Sequence, residues 1–203
     1  TVALHRSFKD NCYSSLMVPF DIPHYRFVFG FSVQAYELKV DGNKIRFVSM
    51  PDSATLKAHT PYILRGRFFT PPYIIPQLNV NYDGTPTKTV TVNGVTFTGV
   101  YHPQTLQQDD AYILSANQLY RTKAEQSVHL QGFRWYMTLP AAEGKFSLMI
   151  DDKDIALGIQ EKHIRTISSL KRGVYTLEGI KVAEKIDDKP LRKGAYIVNR
   201  SEE

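Results

Sequence analysis

The sequence predicts an all-β chain: an antiparallel β-sandwich, jelly-roll-like or a flattened barrel, followed by a small C-terminal β unit. Three observations predict it. Short runs rich in Val, Ile, Thr, Tyr and Phe recur between Gly, Pro, Asn and Asp turn residues. Two Asx-Gly steps, Asp41-Gly42 and Asn93-Gly94, each sit between apolar segments, which is a strong hairpin signal. Helical periodicity is scarce, with one turn expected over QTLQQDD (104–110). Composition agrees. The 203 residues are 42% hydrophobic and 22% charged, which fits a globular chain rather than a disordered one.

The elements follow in order. SLMVPF (15–20) is a compact apolar strand. SVQAYELKV (32–40) places Val33 and Ala35 on one register and Tyr36, Leu38 and Val40 on the other, so a bulge near 35–36 is expected. Asp41-Gly42-Asn43 turns the chain into KIRFVSM (44–50), and TPYILRG (60–66) is the next strand. RFFTPPYIIPQ (67–77) carries Pro71, Pro72 and Pro76, which confine it to an edge or a loop. TKTVTVNGVTFTGVYH (87–102) is the clearest hairpin: Val90 and Val92 alternate with Thr, Asn93-Gly94 supplies the turn, and Val95 and Phe97 resume the alternation.

AYILSANQLYR (111–121) reads as a further strand segment. GFRWYMTLP (132–140) puts Phe133, Trp135, Met137 and Leu139 on one face, and KFSLMID (145–151) does the same with Phe146, Leu148 and Ile150. These two are expected to pair as a hairpin across AAEG (141–144). The following stretch is polar and poorly periodic. The domain reading is therefore a sandwich over 1–158, a linker over 159–172 and a β module over 173–203. Within the module, GVYTL and GAYIV are strands. A tight turn is expected at Leu177–Ile180, and Lys189-Pro190 with Gly194 frames the last strand.

The residues argue against several chemistries. Cys12 is the sole cysteine, so neither an internal disulfide nor a cysteine zinc site can form. His5, His24, His59, His102, His129 and His163 are scattered, with no i, i+4 pair and no HxH step. Asp151, Asp152 and Asp154 suggest a calcium loop, but Ala156 and Lys162 stand where an EF-hand needs Gly and Glu; a solvated acidic turn is the expectation. The signatures GxSxG, GxxxxGK[ST] and GxGxxG are absent. The net charge of +5 comes from Lys and Arg interspersed with Asp and Glu, so a solvated surface rather than a nucleic-acid face is expected. No apolar run is long enough to span a bilayer. The chain opens TVALHRSFKD, without an initiator Met or a signal peptide, and is expected to be a mature fragment or a cut-out domain. No catalytic residue, cofactor or metal is expected. The candidate ligand contacts are Tyr101 and His102 at a strand end, and Arg134 and Tyr136 on the outward face of GFRWYMTLP.

Five segments also carry a resemblance: SLMVPFDIP with FGFSVQAYEL (15–38), TLKAHTPYILRG (55–66), VTFTGVYHPQTLQQDDAYILSANQLYR (95–121), GFRWYMTLPAAEGKFSLMIDD (132–152) and GVYTLEGIKVAEKIDDKPLRKGAYIVN (173–199). In this order they resemble a β domain of secreted and surface proteins from the Bacteroides–Prevotella group. His59 stands where that family usually has Gly. The resemblance implies a non-enzymatic surface or secreted module, adhesive or structural, at the outer membrane or outside a Gram-negative cell. A carbohydrate-binding module of a glycan-harvesting system is the alternative. The implied partners are host or bacterial surface glycans or proteins. The 173–203 segment resembles, more loosely, a sorting module of the type IX secretion system, although it ends NRSEE without a further strand.

Overall fold

The computed structural model describes residues 1–41, 44–76, 84–115, 117–140 and 147–151, and the backbone of 153–154, 173–176, 181–183 and 196–199. The chain divides into two compact units, Thr1–Glu161 and Lys162–Glu203. The expected linker 159–172 and the turn at Leu177–Ile180 lie outside the described residues, as does the Lys189-Pro190 to Gly194 frame.

The first unit is a sandwich of two sheets. One has six strands in the order β15 (Lys153–Asp154), β14 (Ser147–Ile150), β4 (Lys44–Ser49), β3 (Gln34–Asp41), β5 (Tyr62–Arg65) and β2 (Ser14–Leu16). The other has five: β11 (Gln118–Arg121), β10 (Ala111–Ser115), β13 (Arg134–Thr138), β8 (Val95–Val100) and β7 (Thr87–Val92). Pairing is antiparallel throughout except between β14 and β4, which run parallel. The Asn93-Gly94 turn forms as expected, with both residues at positive φ (48° and 80°) and Val92 opposite Val95. β3 and β4 pair from Tyr36–Ser49 down to Asp41–Lys44.

Apolar faces meet between the sheets. Ile45, Phe47 and Ile63 face Phe97, Trp135 and Met137, all buried. The Phe47 ring stacks on Trp135 at 5.6 Å, and Phe97 meets Trp135 edge-on at 5.2 Å. Trp135 Nε1 donates to the Tyr62 carbonyl across the sandwich at 2.8 Å, so burying the indole leaves no orphaned donor.

Each sheet is also covered on its outer face. The ribbon of β1 (Val2–Leu4) and β6 (Tyr73–Ile75), with the short helix α1 (Tyr25–Phe29), covers Leu16, Ala35, Tyr62 and Leu64 of the six-stranded sheet. A second ribbon, β9 (Gln104–Leu106) and β12 (Val128–Leu130), covers Val100 and Ala111 of the five-stranded sheet.

This layering explains where the expectations fail. No bulge interrupts β3: its register to β5 runs unbroken through Ala35–Leu64 and Tyr36–Ile63. Both of its faces are apolar because both are covered, Ala35 by the outer ribbon side and Tyr36 by the other sheet. The hairpin between 132–140 and 145–151 does not form. Both edges of β13 are taken, by β10 and β8, so β14 crosses to the facing sheet and still delivers Leu148 and Ile150 to the same core. AAEG itself lies outside the described residues. Segment 111–121 is two strands, β10 and β11, turning at Asn117 (φ 65°). Residues 104–106 form β9 rather than the start of a helical turn, and the helix lies instead at α1, ending at Gly30. Asp151 closes the acidic turn by accepting the Ser49 N–H at 2.7 Å.

The second unit is a three-stranded antiparallel sheet. β16 (Gly173–Thr176) lies between β17 (Lys181–Ala183) and β18 (Tyr196–Asn199).

Candidate functional site

β8 and β13 leave the five-stranded sheet together. Their last shared pair is Val100–Arg134, and the outer ribbon resumes at Gln104–Leu130. Tyr101-His102-Pro103 and Gln131-Gly132-Phe133 therefore bend side by side around one corner. Gly132 lets the two chains approach: a Cβ there would meet the Tyr101 carbonyl oxygen at 2.9 Å. Phe133 completes the bend at φ 61°, a conformation costly for a residue with a side chain. Its N–H donates to Val100 O, and its carbonyl accepts from the Met17 N–H at 3.2 Å and from Arg6 Nη1.

Arg6 braces this corner from the segment after β1. Its other terminal nitrogen donates to the Ser15 carbonyl, and its guanidinium lies 4.4 Å over the Phe8 ring. Only 6% of the residue is exposed, and among the described residues Nε has no hydrogen-bond partner. Burial first, then the neighbouring Arg134, holds the Arg6 pKa well below its ordinary value; Tyr73 opposes them. Burial alone lowers that of Arg134. Both shifts report cations that water solvates poorly. Among the described residues neither guanidinium is in an ion pair with a carboxylate. Asp10, on the same segment as Arg6, accepts the Phe68 N–H at 3.0 Å.

An open cleft of about 740 Å³ lies at the corner. Arg6, Arg134, His5 and His102 line it together with Pro71 and the bend residues, and its described lining contains no Asp, Glu or Cys. Guanidinium groups offer forked N–H donors matched to carboxylate, sulfate and phosphate oxygens. The arrangement is thus equipped to hold an anion.

Of the four candidates, the structure brings Tyr101, His102 and Arg134 to this cleft and leaves Tyr136 outside its lining. His102 is exposed and Arg134 half-buried. Tyr101 is not an exposed ring: it is 4% accessible, packs in the sandwich core, and its hydroxyl shares a hydrogen bond with His59 Nδ1. Tyr136 is half-buried against Val100, Leu106, Ala111 and Leu130. A carbohydrate-binding module predicts a coplanar pair of exposed aromatics, and Tyr101 and Tyr136 do not form one, because the outer ribbon covers one ring and the core takes the other. Among the described residues the exposed aromatics are instead Phe27, Phe31 and Phe69 (72%, 64% and 42% accessible), which touch edge to face in series. Their sequence signal was the i, i+4 pair Phe27 and Phe31 flanking buried Val28 and Phe29. Arg6 and His5 carry no motif; only the tertiary corner makes them functional candidates.

Among the described residues no helix is long and apolar enough to cross a membrane. Comparison of the chain with protein-family models, curated proteins and solved structures gave no match.

Proposed function

We propose that this chain is a non-catalytic module of a secreted or surface protein of the Bacteroides–Prevotella type, adhesive in role, acting outside the cell or on the outer membrane. The observation that carries the reading is the corner cleft: a preformed concavity on a braced β scaffold, with cations in its lining and neither carboxylate nor thiol among its described residues. Such a site suits holding a ligand rather than transforming one.

The family resemblance gains support from His59. This position, where the family usually has Gly, is in the left-handed region at φ 56°. Glycine enters that region freely, so a backbone requirement explains the family's usual residue. Here His59 tolerates the conformation and ties down Tyr101.

Within the adhesive reading, a saccharide is the favoured ligand class. Imidazole, amide and hydroxyl groups of His5, His102, Gln131 and Ser7 stand beside two proline rings in one open cleft. Polar fixers beside apolar ring faces are what a sugar needs. An array of host glycans, mucins and matrix proteins, probed with the 203-residue chain, tests the reading. A reproducible, competable hit supports it. Silence across the array refutes an adhesive role for this chain and leaves a structural or export role, the latter resting on the three-stranded 173–199 sheet.

A further inference from the structure

We propose that the corner cleft is an anion site selective for acidic saccharides, with Arg134 contacting the ligand's carboxylate or sulfate and Arg6 supplying a fixed background charge. The proposal rests on the saccharide-binding reading above and adds its charge class.

Two observations carry it independently. The first is the lining itself: two arginines and two histidines converge on one cleft with no acidic residue among its described members. The second is the state of Arg6. Among the described residues it is a nearly buried cation with no carboxylate partner, and one of its donors, Nε, is unsatisfied. A buried charge without a counter-charge is costly. An anion arriving in the cleft supplies the missing counter-charge to both guanidiniums.

The two arginines have different work. The terminal nitrogens of Arg6 are committed to the Phe133 and Ser15 carbonyls, so it acts through its field rather than through ligand hydrogen bonds. The Arg134 side chain makes no hydrogen bond among the described residues, and the residue is half-buried in the cleft lining, so its fork is available to oxygens there. His5, His102, Ser7 and Gln131 then meet the hydroxyls that surround the acidic group. Prolines 71 and 103 give the sugar ring two apolar edges. An acidic peptide shares the charge but brings mainly chain amides and side-chain stems, which this hydroxyl-matched lining suits less.

The test is calorimetric titration of the full chain with four probes: a galacturonate oligomer, a sulfated disaccharide, the corresponding neutral oligosaccharide and a poly-glutamate peptide. Tight binding of the galacturonate oligomer or the sulfated disaccharide is expected, weakened as salt rises. Which of the two binds identifies the anionic group. Arg134→Gln removes the charge and the guanidinium fork and leaves a shorter, neutral amide; it is expected to weaken binding by about tenfold or more, the usual worth of a charge-assisted hydrogen bond. Its melting curve must match the parent's. Should Arg134→Gln fail to fold, His102→Gln on the exposed rim takes its place, with a smaller loss expected for the same probe. Equal binding of neutral and acidic sugars overturns the anion proposal and leaves the saccharide reading standing. Binding of poly-glutamate alone overturns the ligand class. No binding by any probe overturns both readings.

Discussion

The corner makes its sharpest prediction at Gly132. Replacing it with Ala adds one methyl, and that methyl would sit 2.9 Å from the Tyr101 carbonyl oxygen. The obstacle is backbone, not the movable end of a side chain. Tyr101 cannot retreat freely, since its N–H is bonded to Pro86 O, its ring is in the core and its hydroxyl is held by His59. Overpacking of this kind costs about 1–3 kcal/mol. The lost chain entropy of an unfolded Gly returns about 0.4–1 kcal/mol. The expected net destabilisation is about 1–2 kcal/mol, a fall in Tm of roughly 2–8 °C for a unit of this size. Urea unfolding and thermal melting both read it. Gly84→Ala is the control: nothing lies within 4 Å of its Cβ, so only its φ of 83° opposes the change. A Gly132→Ala protein as stable as the parent, or more stable, would refute the side-by-side corner on which the cleft depends.

Three further changes test other parts of the fold. Trp135→Phe removes the donor to the Tyr62 carbonyl and leaves space beside Phe47; we expect a loss of about 2–4 kcal/mol by urea unfolding, and a loss under 1 kcal/mol would contradict the buried bond. Tyr136→Ala strips a half-buried ring from the cluster under the outer ribbon, so stability should drop by about 1–3 kcal/mol with saccharide affinity unchanged; the reverse pattern would place Tyr136 in the binding site. Asp21 accepts from Lys57 Nζ at 2.9 Å and from the Ala58 N–H at 2.8 Å, and these two bonds, Lys57 first, hold its carboxyl below the usual range. Its stabilisation is therefore present above the unfolded carboxylate pKa and lost as pH falls through the lower folded one. Asp21→Asn should melt below the parent at neutral pH and converge with it in acid; a gap that stays constant with pH would exclude this role.

How much of this was legible depends on whether information was local. The Asn93-Gly94 hairpin was, because turn chemistry and alternation lie within a few residues of each other. The strand character of 173–176, 181–183 and 196–199 was legible for the same reason. The strand character of β3 is legible, but its two apolar faces mimic a bulge, since one strand cannot report that both of its sides are covered. The partner of β14 was not legible at all. Leu148 and Ile150 specify which way they face, and that condition is met equally by pairing with β13 or by crossing to β4. At the corner, the strand end points to Tyr101 and His102 and the alternation of GFRWYMTLP to Arg134, and the structure places these three in one cleft; alternation does not report that the core takes the Tyr101 ring or that the outer ribbon covers Tyr136. Arg6 has no local signal because its meaning comes from Phe133 and Arg134, far along the chain.

The parallel pairing of β14 with β4 has a consequence for synthesis. Residues 44–49 leave the ribosome about a hundred residues before 147–150. Throughout that interval β3 already protects one side of β4, while the other side is an open row of backbone donors and acceptors. The six-stranded sheet is thus sealed last, and by a segment that belongs, in sequence, to the far end of its unit. A nascent chain halted before Ser147 carries an adhesive strand edge that its finished form hides, and its folding rate is bound to the slow closure of that one long loop.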